Sequence, residues 1–153
     1  MKKYAMVLLC FLVVAISGCS ITGPKYQEYR KTIQPVAAGK GRIFFYRDDT
    51  FVGGGVRPDI KLNGKVVGES LPGGFFYVDQ APGNCAVSTS TEVERTLEFT
   101  LAPSEVKYVR TSVSMGFFVG HVIPELVSKA DAEKALTNLK FAGKYDASHP
   151  KPE

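Results

Sequence analysis

Val56-Arg57-Pro58-Asp59-Ile60-Lys61-Leu62-Asn63-Gly64-Lys65-Val66-Val67-Gly68 reads as a β-hairpin, and it sets the class of the fold. Val56, Pro58, Ile60 and Leu62 alternate with Arg57, Asp59 and Lys61, the period of two expected of a strand with one buried face. Asn63-Gly64 is the favoured two-residue turn, because a type I′ turn needs positive φ at both central positions. Lys65-Val66-Val67-Gly68 returns as the partner strand. Pro58 has no amide hydrogen, so its strand starts there or lies at an edge.

The same grammar extends in both directions. Arg42-Ile43-Phe44-Phe45-Tyr46-Arg47 is β-branched and aromatic, a core strand that Asp48-Asp49 ends. Phe75-Phe76-Tyr77-Val78 is another apolar run, and Ala81-Pro82-Gly83-Asn84 is a turn. Residues 85–91 are extended. Leu97, Phe99 and Leu101 alternate with polar neighbours, Ala102-Pro103-Ser104-Glu105 turns, and residues 106–113 form a further strand. Short strands with turns every 8–12 residues indicate a sandwich or small barrel. Near the end, Ser128 and Asp131 resemble a capping box, and Ala132, Ala135, Leu136 and Leu139 follow at helical spacing. The expected fold is an all-β sandwich of about seven short, mostly antiparallel strands. One C-terminal helix, over about residues 130–139 with Gly143 as its stop, covers an open face or edge.

The beginning of the chain is of another kind. Met1-Lys2-Lys3 is basic, residues 5–16 carry no charge, and Ile16-Ser17-Gly18-Cys19 follows. A basic start, a short apolar stretch and small residues before a cleavage point make a secretory signal. The apolar run is about 14 residues, short of the roughly 20 that span a bilayer. The cysteine in that position resembles the lipobox of bacterial lipoproteins. The resemblance implies cleavage between Gly18 and Cys19, with diacylglycerol on the Cys19 sulfur and an acyl chain on its amino terminus. Each buried methylene contributes about 0.8 kcal/mol, so several chains anchor durably where one does not. In lipoproteins of two-membrane bacteria an Asp after the cysteine retains the protein at the inner membrane. Ser20 is not that signal, which implies the outer membrane, with the domain facing the periplasm.

These readings divide the chain into a signal peptide at 1–18, a lipidated start and tether at 19–40, a β-sandwich at 41–143 and a disordered tail at 144–153. Residues 20–40 are polar with Pro24 and Pro35 and no sustained apolar period, so they read as a flexible leader. About 20 extended residues would reach roughly 70 Å. Within that leader, Tyr26 and Tyr29 have the option of packing on the domain or lying at the membrane surface.

Composition excludes several function classes. Loss of residues 1–18 removes Lys2 and Lys3, taking the formal charge from +4 to +2. That is too weak for a nucleic-acid face. Of the 3 cysteines, Cys10 leaves with the signal and Cys19 takes lipid, so Cys85 alone remains in the domain and no internal disulfide forms. Cys85 alternates with Val87 on an expected strand, which makes it a buried structural thiol. A Cys85–His121 dyad would need an exposed, activated thiolate instead.

Other chemistry is equally sparse. Val52-Gly53-Gly54-Gly55-Val56 lacks the Gly-Lys-Ser/Thr of a phosphate-binding loop and reads as a loop or bulge. His121 and His149 are the only histidines, Asp48-Asp49 reads as a solvated strand end, and no metal site or cofactor is expected. No catalytic residue is assigned, and the GxSxG pattern is absent. Arg47 and Arg110, late in apolar strands, are either ion-pair partners or ligand-facing cations. Met115-Gly116-Phe117-Phe118-Val119-Gly120-His121-Val122-Ile123-Pro124 is apolar and punctuated by glycine. It is either a connection buried under the helix or an exposed loop whose Phe117 and Phe118 contact a partner.

The signposts Gly41-Arg42-Ile43-Phe44-Phe45-Tyr46-Arg47, Ile60 through Gly68, Gly74-Phe75-Phe76-Tyr77, Ala81-Pro82-Gly83 and Val106-Lys107-Tyr108-Val109-Arg110 occur in a known order. Together they resemble the bacterial lipoproteins carrying domain of unknown function 2846, over about residues 39–143. Similar strand–turn grammar occurs in carboxypeptidase-regulatory-like and PEGA modules. The family resemblance implies a β-sandwich and an envelope address, and transfers no catalytic residue. The expected function is that of a lipid-anchored cell-envelope protein whose sandwich binds or supports rather than catalyses. Its partners are membrane lipid through Cys19 and an envelope protein. The alternatives are a subunit of an envelope assembly and an envelope hydrolase with an unrecognised site.

Overall fold

The computed structural model describes residues 21–114 and 120–143. These residues are mostly β, with nine strands: β1 (Gly41–Tyr46), β2 (Asp59–Leu62), β3 (Lys65–Glu69), β4 (Gly74–Gln80), β5 (Gly83–Ser90), β6 (Glu94–Leu101), β7 (Val106–Ser114), β8 (His121–Val127) and β9 (Lys140–Phe141). A one-turn helix α1 (Tyr26–Tyr29) precedes β1, and α2 (Lys129–Leu136) lies between β8 and β9. The expected count of about seven strands is therefore corrected to nine. The seven read from the sequence correspond to β1 through β7, and the additions are β8 and β9.

Two sheets stack in a sandwich-like arrangement, not a closed barrel. The first has the order β8-β7-β1-β4-β9 and the second β3-β2-β5-β6. All pairs of the second sheet are antiparallel, whereas β1–β7 and β4–β9 in the first are parallel. Thr89 on β5 donates its hydroxyl to the Val122 carbonyl on β8 at 2.6 Å, a buried polar link between the sheets. The Asn63-Gly64 turn forms as expected, with φ of 50° and 80°. The side-chain oxygen of Asn63 accepts the Ala86 amide at 2.8 Å, tying the turn to β5.

β1 is buried at every position because both of its faces are covered. Phe45 stacks on Phe76, with ring centroids 5.1 Å apart, on one face. On the other face Phe44 lies against Tyr26, Tyr77 and Tyr108. This second layer is closed by α1 and α2, which bury Tyr26, Tyr29, Ala132 and Leu136. The Ser128 hydroxyl caps α2 by accepting the Asp131 amide, as the capping pattern implies. The helix stops at Leu136, well before Gly143, because Leu139, Lys140 and Phe141 leave it to bond along the sheet edge.

The leader also differs from its expected slackness. The amide of Tyr26 donates to the Leu139 carbonyl at 2.9 Å, and the Phe141 amide donates to the Pro24 carbonyl at 2.8 Å. Tyr29 is 2% exposed and stacks on Phe141 at 4.1 Å. Tyr26 and Tyr29 stand three residues apart, so one helical turn aims both at the core. Residues 24–29 are thus part of the packed body, where the sequence reads as a flexible leader.

Candidate functional site

Arg47 follows β1 and builds the most unusual polar feature of the fold. Its side chain enters the protein and the residue is 2% exposed. Nη1 donates to the Val56 carbonyl at 2.6 Å and the Ser70 carbonyl at 3.2 Å, and Nη2 donates to the Gly53 carbonyl at 2.8 Å. Among the described residues Nε has no partner and no carboxylate pairs with the guanidinium. Burial, then the charge of Arg57, lowers its pKa from the ordinary arginine value. A buried cation satisfied by carbonyls alone is a costly arrangement. It fixes the 48–58 loop to the end of the sandwich.

The loop is shaped to meet that cation. Gly53 has a φ of +75°, and a Cβ there would stand 2.7 Å from Val113 Cγ1. Only glycine allows both the left-handed backbone and the close approach. Successive turns close with the Gly54 amide on the Phe51 carbonyl and the Val56 amide on the Gly53 carbonyl. The glycine run presents carbonyls to a cation, whereas a phosphate cradle presents amides.

Beside this loop lies an open groove of about 690 Å³. Phe51, Gly54, Gly55 and Arg57 form one wall, Leu71 to Gly73 another, and Asn138, Lys140 and Ile21 the third, with Asp49 also present. Ile21 Cδ1 sits 2.8 Å from the position a Cβ on Gly74 would take. The groove therefore opens at the end of the sandwich where the chain enters the domain. It combines an apolar tip, two cations and one carboxylate.

The residues singled out in the sequence fall in several places. Gly18 and Cys19, and the tail 144–153, lie outside the described residues, as do Phe117 and Phe118. Ser114 and Gly120, which bracket the 115–119 segment, are at the same end of the sandwich as the Arg47 loop, since β1 and β7 run parallel. Cys85 is 2% exposed and faces the core, where burial raises its thiol pKa. His121 adjoins Val122, which is bonded to Thr89, four residues along β5 from Cys85. At about 3.3 Å per residue that separation is roughly 13 Å, so no Cys85–His121 dyad forms. Arg110 pairs with Glu125 at 2.9 Å and reaches Asp48 at 3.8 Å, a half-exposed network. No group of three or more His, Cys, Asp or Glu able to hold a metal occurs among the described residues.

Sequence reasoning missed the Arg47 cage because its acceptors come from three separate backbone positions. The one available signal is an arginine ending an apolar strand just before a glycine-rich stretch. Arg42 carries no separate signal in the sequence. It is 5% exposed, holds Asp79 through two hydrogen bonds of 2.6 and 2.8 Å, and lies 4.4 Å from the Tyr77 ring centre.

Comparison with known proteins places this architecture. The family model described as "Protein of unknown function (DUF2846)" matches residues 37–122, from just before β1 to the start of β8. An "Uncharacterized protein" of Haemophilus influenzae is 30% identical over 145 residues, spanning 92% of this chain and 86% of that protein. No solved structure matches. The chain belongs to the DUF2846 family.

Proposed function

We propose that the protein is an outer-membrane lipoprotein, anchored through Cys19 and facing the periplasm, whose β-sandwich binds or supports rather than catalyses. The observation that carries the reading is the path of the chain start. Pro24 and Tyr26 are hydrogen-bonded to the last strand and its approach, so Ser20 to Gly23 are the only residues between Cys19 and a fixed point. Five residue steps span at most about 17 Å, against the roughly 70 Å of a free 20-residue tether. A lipidated Cys19 would hold the domain against the membrane, and the lipobox Ile16-Ser17-Gly18-Cys19 supplies the chemistry for that anchor. The buried, unactivated Cys85 and the separation of His121 from it favour a non-catalytic role.

Fractionation of the producing cells tests the reading. Wild-type protein is expected in the outer-membrane fraction and to require detergent for release. The Cys19→Ala protein is expected among the soluble contents or as uncleaved precursor. Detergent-free release of the wild type would contradict the proposal.

A further inference from the structure

Phe51 is fully exposed and its neighbour Val52 is 62% exposed, at the tip of the loop that Arg47 fastens. Single exposed apolar side chains are ordinary on protein surfaces. This pair has a specific setting. Its loop is tied to the body by a buried guanidinium and two backbone turns, so the apolar tip is presented from a fixed base. Arg57 and Lys140 line the groove beside it. Ile21, on the wall of the same groove, is two residues from Cys19, and two residues span at most about 7 Å.

Cys19 therefore delivers any lipid it carries to the rim of this groove. We propose that Phe51 and Val52 enter the interfacial zone of the phospholipid bilayer that holds the Cys19 acyl chains, with Arg57 and Lys140 at the level of the lipid phosphates. The proposal rests on the anchoring read above. Aromatic side chains favour the membrane interface, and long cationic side chains keep their charge among headgroups while their stems lie in apolar surroundings. Among the described residues of the groove wall, Asp49 is the one carboxylate and is outnumbered by the two cations. Acyl chains alone would leave the domain free to swivel. The second contact fixes its orientation, with β1 and β7 running toward the bilayer and the 81–82 and 102–104 turns facing away.

The chain has no tryptophan, so one introduced indole reports its own surroundings. The test uses purified full-length lipidated protein in vesicles of phosphatidylethanolamine and phosphatidylglycerol containing a lipid brominated high in its acyl chain. Phe51→Trp is the probe. Ala81→Trp, beyond the far end of the 7-residue β4, is the reference, roughly 20 Å away along the strand. Phe51→Trp is expected to emit at shorter wavelength on vesicles than in buffer and to be quenched by the brominated lipid, with Ala81→Trp unchanged. Vesicle-bound protein whose Phe51→Trp emission is neither shifted nor quenched would overturn the proposal and leave the anchor intact. Equal quenching at both positions would also overturn it. Failure of the wild-type protein to float with vesicles would instead remove the anchor, and the proposal with it.

Discussion

The carbonyl of Pro24 accepts the amide of Phe141 at 2.8 Å, so the first stretch of the domain is held by its last strand. Lys25 and Lys140 form an antiparallel bridge beside this bond, extending the five-stranded sheet past β9. Residues 24–25 are therefore a strand-like edge of the sandwich.

Tyr29 is the side chain that makes this edge permanent. It stacks on Phe141 at 4.1 Å and meets Phe75 edge-on at 6.0 Å. Tyr29→Ala is expected to destabilise the domain by about 3–5 kcal/mol, the range for removing a buried aromatic. Denaturant unfolding of residues 19–153 measures it. A slack leader would give an unchanged midpoint.

Arg47→Met tests the cage. Methionine fills much of the volume but leaves the Val56 and Ser70 carbonyls without the guanidinium donor, while the Gly53 carbonyl keeps the Val56 amide. Removal of the desolvated charge offsets part of that loss. A net destabilisation of about 2–4 kcal/mol is expected from the unpaired acceptors, together with faster proteolysis in the 51–55 turn. Unchanged stability with unchanged proteolysis would show that the cage does not hold the loop.

Asp79 sets an acid dependence. Burial is the largest single influence on it and opposes ionisation. The Arg42 hydrogen bonds and charge, the Ala37 amide and Lys40 together outweigh burial and hold its pKa below the usual carboxylate value. The folded state thus favours the ionised form. Its contribution is complete above the ordinary Asp pKa of about 4 and is lost as pH falls through the lower folded value. Asp79→Asn is expected to cost about 1–3 kcal/mol at pH 7 and to flatten the loss of stability below pH 4 that wild type shows. Parallel stability–pH curves for the two proteins would contradict the assignment.

How much of this was legible depends on the range of the interactions involved. The Asn63-Gly64 turn is a local device, and its positive φ angles follow from the dipeptide itself. The α2 cap is equally local, with Ser128 and Asp131 three residues apart. β8 was hidden because Pro124 and the apolar run before it read as a connection, although Pro124 pairs with Thr111 on an edge strand. β9 has 2 residues and exists only through its pairing with β4, which no local pattern announces. α1 is a single turn without a sustained apolar period, so its burial depends on Phe75 and Phe141, far along the chain. The groove is assembled from Ile21, two loops and β9 with its approach, and its lining was invisible for the same reason.

The most direct test of the account is the mass of the N-terminal peptide of mature protein extracted from the membranes of the producing cells. The account predicts a peptide beginning at Cys19 that carries a thioether-linked diacylglycerol and an acylated amino terminus. A peptide retaining residues 1–18, or one beginning at an unmodified Cys19, would contradict it.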